Sequence, residues 1–79
     1  MINNTPEIIL ISRLPIRLGQ FLKLAEIVSD GSEASARILG GDVKVNGLPE
    51  NRRGRKLREG DVVNLGGRSL LIAKEVDDG

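Results

Sequence analysis

Apolar positions along this chain switch between continuous, helical and alternating spacing, and each switch marks an element. Residues 7–12 hold Ile8, Ile9, Leu10 and Ile11 in one run. Such a run suits a buried or edge strand, although its period alone does not decide the matter. Pro15 then breaks the chain. Over residues 16–26, Leu18, Phe21, Leu22 and Ala25 recur at the i, i+3, i+4, i+7 spacing of one helix face, with Arg17, Gln20 and Lys23 off that stripe. This predicts a first helix. A second follows Asp30, whose carboxylate can cap free amides while Glu33 reaches back in a capping-box pattern. Ala34, Ile38 and Leu39 give it an apolar side, and Gly40-Gly41 ends it, since a left-handed terminal residue is easiest for glycine.

Beyond residue 42 the period becomes two. Val43 and Val45 flank Lys44, so the valines face a core and the lysine faces away. Asn46-Gly47 is the strongest short-range hairpin signal, because both central residues of a type I′ turn need φ > 0. Residues 48–58 are polar and basic around a single apolar anchor, Leu57. Glu59-Gly60-Asp61 turns the chain into a strand over 62–65, and Gly66-Gly67 turns it into another over 68–73. The expectation is an α+β domain over residues 7–73, two short helices packed against a small antiparallel sheet of hairpins. Residues 1–6 are expected to form a flexible N-terminus and residues 74–79 an acidic flexible tail.

Composition narrows what such a domain can do. Its 79 residues make one small domain with neither cysteine nor histidine, so disulfides, thiolate metal sites and the commonest general base are all missing. Asp61, Asp77 and Asp78 show no cage spacing for a metal, and no Gly-Lys-Ser/Thr follows Gly66-Gly67 to make a phosphate loop. No enzyme, metal or cofactor is expected. Neither a signal peptide nor a membrane-spanning run is recognisable, so a cytoplasmic protein is expected. Phe21 is the sole aromatic and falls on the apolar helix stripe, which leaves nothing to stack on bases.

Charge supplies the positive indication. The whole chain is nearly neutral, with 12 Lys and Arg against 11 Asp and Glu, yet residues 44–58 hold six cations and one anion, Glu50. The remaining residues hold six cations and ten anions. A basic segment held on a hairpin is an electrostatic footprint for phosphate.

The order of motifs resembles the S-four RNA-binding domain family, also called the alpha-L motif. It runs from Arg17-Leu18-x-x-Phe21-Leu22 in the first helix to Ala34 and Ile38 in the second. Gly41-Asp42-Val43-Lys44-Val45-Asn46-Gly47 follows, then Lys56-Leu57-Arg58-Glu59-Gly60-Asp61-Val62-Val63. The chain is most similar in form to small stand-alone bacterial members, which carry a stretch like Asn51-Arg52-Arg53-Gly54-Arg55-Lys56-Leu57 after the turn. Three positions depart from the family pattern. Gly19 stands where many members have Asp, the second helix opens Asp30-Gly31, and Ser35 stands where stand-alone relatives often carry Lys. The resemblance implies non-catalytic binding of structured RNA, often ribosomal, through the helix pair and adjoining loop; a monomer is expected.

The candidate RNA-binding residues are Arg17, Arg37, Lys44, Arg52, Arg53, Arg55 and Lys56, with Asn46 and Gly47 positioning the turn. Arg17 would start the first helix, where a cation opposes the dipole and so calls for another use. Arg37, four residues after Glu33, could form a surface ion pair or turn to phosphate. The guanidinium forks of Arg52, Arg53 and Arg55 match phosphate oxygens, and few carboxylates lie near them in sequence to compete. Two other readings are open. A β-grasp sulfur-carrier-like protein shares the Val-Asn-Gly hairpin, but its chemistry needs a terminal diglycine, and this sequence closes Asp77-Asp78-Gly79. A protein–protein adaptor would present the basic loop to an acidic partner.

Overall fold

The computed structural model describes residues 5–76; the expected flexible N-terminus at 1–4 and the end of the expected acidic tail at 77–79 lie outside the described residues. Seven strands and two helices follow in chain order. They are β1 (Glu7–Ile11), β2 (Ile16–Arg17), α1 (Leu18–Leu24), α2 (Gly31–Leu39), β3 (Val43–Val45), β4 (Leu48–Pro49), β5 (Lys56–Leu57), β6 (Val62–Leu65) and β7 (Arg68–Lys74). One five-stranded sheet has the order β1-β7-β6-β3-β4, and β2 pairs with β5 in a separate two-stranded sheet.

The α+β class is as expected, and the sheet differs from it in one respect. β3, β4, β6 and β7 form antiparallel hairpins, whereas β1 adds to β7 in parallel, from Glu7 opposite Leu70 to Ile11 opposite Lys74. A parallel neighbour requires a long crossover rather than a hairpin, and the rest of the domain supplies it. β1 is an edge strand that turns Ile11 inward and leaves Ile8 and Leu10 exposed. Lys74, expected in a loose tail, is the last residue of β7, and the Glu75 N–H donates to Ile11 O at 2.9 Å.

The core lies between the helices and one sheet face. Leu18, Phe21 and Leu22 of α1, Ala34 and Ile38 of α2, Val43 and Val45 of β3, and Leu57 of β5 are all buried there with Val63, Leu65, Leu70 and Ile72. Leu39, counted above on the apolar side of α2, is exposed. It lies one residue, about 100° of helix rotation, past Ile38 and directly before the terminating glycines. α1 is also shorter than expected, because residues 16 and 17 extend to pair with β5 and Glu26 leaves the helix at φ 59°. At α2, Asp30 accepts from the Glu33 N–H at 2.9 Å, while the Glu33 carboxylate accepts from the Ser29 N–H rather than from Asp30. Gly41, at φ 83°, provides the left-handed residue that ends the helix.

Candidate nucleic-acid interface

The basic segment is an ordered loop seated on the start of α1. The β3–β4 turn has the expected conformation, with Asn46 at φ 53° and Gly47 at φ 84°. Asn46 also ties the turn to the next one: its Nδ2 donates to Asp61 Oδ1 at 3.0 Å and its Oδ1 accepts from the Val62 N–H at 2.9 Å. Asp61 Oδ2 accepts from the Arg58 N–H at 2.8 Å, so both ends of the basic segment are fixed to the sheet. Between them the chain crosses to α1. The Leu18 N–H donates to Arg55 O at 2.8 Å and the Gly19 N–H to Arg53 O at 3.0 Å. Free amides at a helix start thus find carbonyl partners in the loop, and the loop is held by its backbone.

Glu50 organises the loop from within. It is only 6% exposed, the sole buried charged residue among those described, and its own N–H donates to Val43 O at 3.0 Å. Its carboxylate accepts from the Arg52 N–H at 3.0 Å, from Arg52 Nε at 2.9 Å and Nη2 at 3.1 Å, and from Arg55 Nη1 at 2.9 Å. These charge-assisted bonds, first those of Arg52 and then that of Arg55, hold the carboxyl at about 2, well below its ordinary 4.5. Two of the loop arginines therefore have an internal partner that cation counting overlooked. The signal was present in the sequence as the one anion among six cations, and a carboxylate so placed is a hub before it is a repulsion.

Arg53 is oriented differently. Its side chain lies across the first turns of both helices, where a Cβ built on Gly19 would stand 2.8 Å from Arg53 Cγ and one built on Gly31 2.8 Å from Arg53 Nη2. The two glycines that depart from the family pattern are thus the floor on which this arginine lies. Arg17 makes the reciprocal approach, with Nη1 3.2 Å from the place of a Cβ on Gly54. Its N–H is weakly capped by Gln20 Oε1 at 3.4 Å. Arg17 and Lys56 stand directly opposite each other in the β2–β5 pair. Arg17, Gly19, Gln20, Arg53 and Gly54 line a cleft of about 280 Å³.

The remaining two candidates sit elsewhere. Arg37, in the last turn of α2, is half-buried, with Nε 3.5 Å from Asp42 Oδ2 and Nη2 3.6 Å from the place of a Cβ on Gly66. Its ionic partner is Asp42 rather than Glu33, whose carboxylate is committed to Ser29. Lys44 is exposed opposite Pro49 and Asn64, and lines a cleft of about 250 Å³ with Asp42, Asn64 and Arg68. Arg37 and Lys44 thus flank the β6–β7 turn, while Arg17, Arg53, Arg55 and Lys56 gather at the start of α1 and Arg52 turns to Glu50.

The chain matches the S4 domain family over residues 9–73 and belongs to it. It is 52% identical over 52 residues to the probable ribosome maturation protein RlbA of Bacillus subtilis (strain 168), covering 66% of this chain and 73% of that protein. Among solved structures it is similar to YbcJ from E. coli, described as revealing an ALFAL motif involved in RNA-binding. That likeness has a TM-score of 0.67 at 29% identity and covers 92% of this chain and 96% of YbcJ. Trimeric Heat Shock Protein 15 of Vibrio cholerae shares the fold, with a TM-score of 0.68 at 24% identity over 80% of this chain and 67% of that one. No helix among the described residues is long and apolar enough to cross a membrane.

Proposed function

We propose that this S4-domain protein binds structured RNA without catalysis, and that ribosomal RNA is its target. The observation that carries the reading is the cationic cluster at the helix starts. Arg17 faces Lys56 across a strand pair, and Arg53 reaches over the adjoining helix ends. None of the three has an ion-pair partner among the described residues. Like charges directly opposite each other in a sheet are destabilising, and a phosphate between them would remove that penalty. With the Leu18 and Gly19 N–H groups already donating to loop carbonyls, side chains must make the phosphate contacts.

Phe21, the one aromatic, is fully buried, so bases have no aromatic stacking platform. Recognition accordingly follows the shape and charge of a folded RNA backbone. The ALFAL motif involved in RNA-binding that the YbcJ structure revealed, and the description of RlbA as a probable ribosome maturation protein, support the same target class. A sulfur-carrier role draws no support from the S4 match.

Titration of a structured ribosomal RNA fragment, and of an unstructured strand of equal length, tests the proposal. The folded RNA should bind more tightly. Its log K should fall against log salt by roughly 0.7–0.9 per phosphate contact, with about three to five contacts. A flat salt response, or equal binding of both RNAs, would overturn it.

A further inference from the structure

Glu50 is an anion at the centre of a surface that is to bind a polyanion, and electrostatics alone would make it a defect. Its surroundings indicate another role. The Arg55 N–H donates to Arg52 O at 3.2 Å, closing a turn with Arg53 and Gly54 at its tip. Both residues flanking that tip are bonded to the Glu50 carboxylate, Arg52 through its N–H and guanidinium and Arg55 through Nη1. The carboxylate is in turn anchored to the sheet by the Glu50 N–H to Val43 O bond. From this clipped turn the carbonyls of Arg53 and Arg55 meet the α1 amides, and the Arg53 side chain runs over Gly19 and Gly31. A continuous set of contacts therefore leads from β3 through Glu50 to the placement of Arg53.

We propose that Glu50 is a positioning residue for RNA binding, fixing the 52–55 turn so that Arg53 is held ready at the helix starts. The proposal rests on the RNA-binding reading above. Its content is a sign. Removing this negative charge weakens the binding of a polyanion, because the order lost from two long side chains and their turn outweighs the repulsion relieved.

The test compares the full chain with its Glu50→Gln and Arg53→Ala variants, using the structured ribosomal RNA fragment as probe and amide hydrogen exchange as a second readout. Glu50→Gln should bind about tenfold more weakly, the scale expected when two rotamer-rich side chains must be ordered on binding. Exchange should quicken more at Leu18 and Gly19, whose partners are loop carbonyls, than at Ile72, which bonds to Asp61 O. General destabilisation alone would quicken all three by the same factor.

If neither the native chain nor Arg53→Ala binds the RNA, the functional reading has failed; if both bind it equally tightly, Arg53 makes no contact and the positioning role is overturned. If Arg53→Ala binds more weakly but Glu50→Gln binds as tightly as the native chain or tighter, that reading stands and the positioning role is overturned. Should Glu50→Gln fail to fold, Glu50→Asp keeps the charge and shortens its reach. Weaker binding by Glu50→Asp supports the proposal, and undiminished binding overturns it.

Discussion

Arg53 lies on Gly19 so closely that the smallest side chain there would displace it: a Cβ would stand 2.8 Å from Arg53 Cγ and 3.0 Å from Nε. The Arg53 backbone cannot retreat freely, because its carbonyl accepts from the Gly19 N–H at 3.0 Å. Gly19→Ala should therefore swing the arginine off the helix starts and weaken RNA binding roughly three- to tenfold, about 0.7–1.4 kcal/mol. At Gly31 the clash is with Nη2, the mobile end of the same side chain. Gly31→Ala should leave affinity within about twofold and change stability by no more than the ~1 kcal/mol that separates Gly from Ala in a helix. Affinity measured on the two variants side by side checks the contrast.

Replacing Arg52 and Arg53 together by Ala should lower RNA affinity at least tenfold, about 1.4 kcal/mol or more, with the fold intact. Most of that loss should already appear in Arg53→Ala. Arg52, although its side chain is 69% exposed, spends Nε and Nη2 on Glu50. Circular dichroism confirms the fold, and a single titration series separates the two arginines.

Gly47→Val should destabilise the domain. A β-branched residue at φ 84° is strained by roughly 1–3 kcal/mol, which for a domain of this size lowers Tm by about 4–8 °C per kcal/mol. Thermal unfolding measures it directly, and an unchanged Tm would mean that the turn relaxes without cost.

Acid should expose the Glu50 hub. Its carboxyl titrates near 2 in the folded chain against an ordinary 4.5. The unfolded chain therefore takes up this proton first as pH falls, and stability fully present above about 4.5 is lost progressively toward 2. Glu7, also lowered, chiefly by its hydrogen bond from Arg68, adds in the same direction but is exposed. Thermal melts across this range should show a smaller acid loss for Glu50→Gln than for the native chain.

What the sequence revealed and what it withheld divide along the range of the interactions. The α1 stripe, the Asp30 cap, the Asn46-Gly47 turn and the inward valines of β3 depend on neighbours a few residues away, and all are present. The parallel pairing of β1 depends on partners some sixty residues distant, which no local period encodes. The same holds at the surface. That residues 52–58 are basic is plain from composition, but that Gly19 and Gly31 make room for Arg53 can be known only once two helix starts and a loop are brought together. Glu50 fell between these cases, near in sequence to Arg52 and Arg55, yet read as a charge to be subtracted.

The parallel edge has a kinetic corollary. Among the described residues Ile9 and Ile11 find their cross-strand partners in Ile72 and Lys74, so a chain emerging from the ribosome carries an unpaired aliphatic strand until the far end of the domain has been made. Such long loop closure slows folding, and an uncovered aliphatic edge invites pairing with other chains in the interval. Synthesis of the helices and the basic loop is complete before this closure can occur, so the newly made protein must reach its cationic surface and its final strand pairing by separate steps, or wait and acquire both at once.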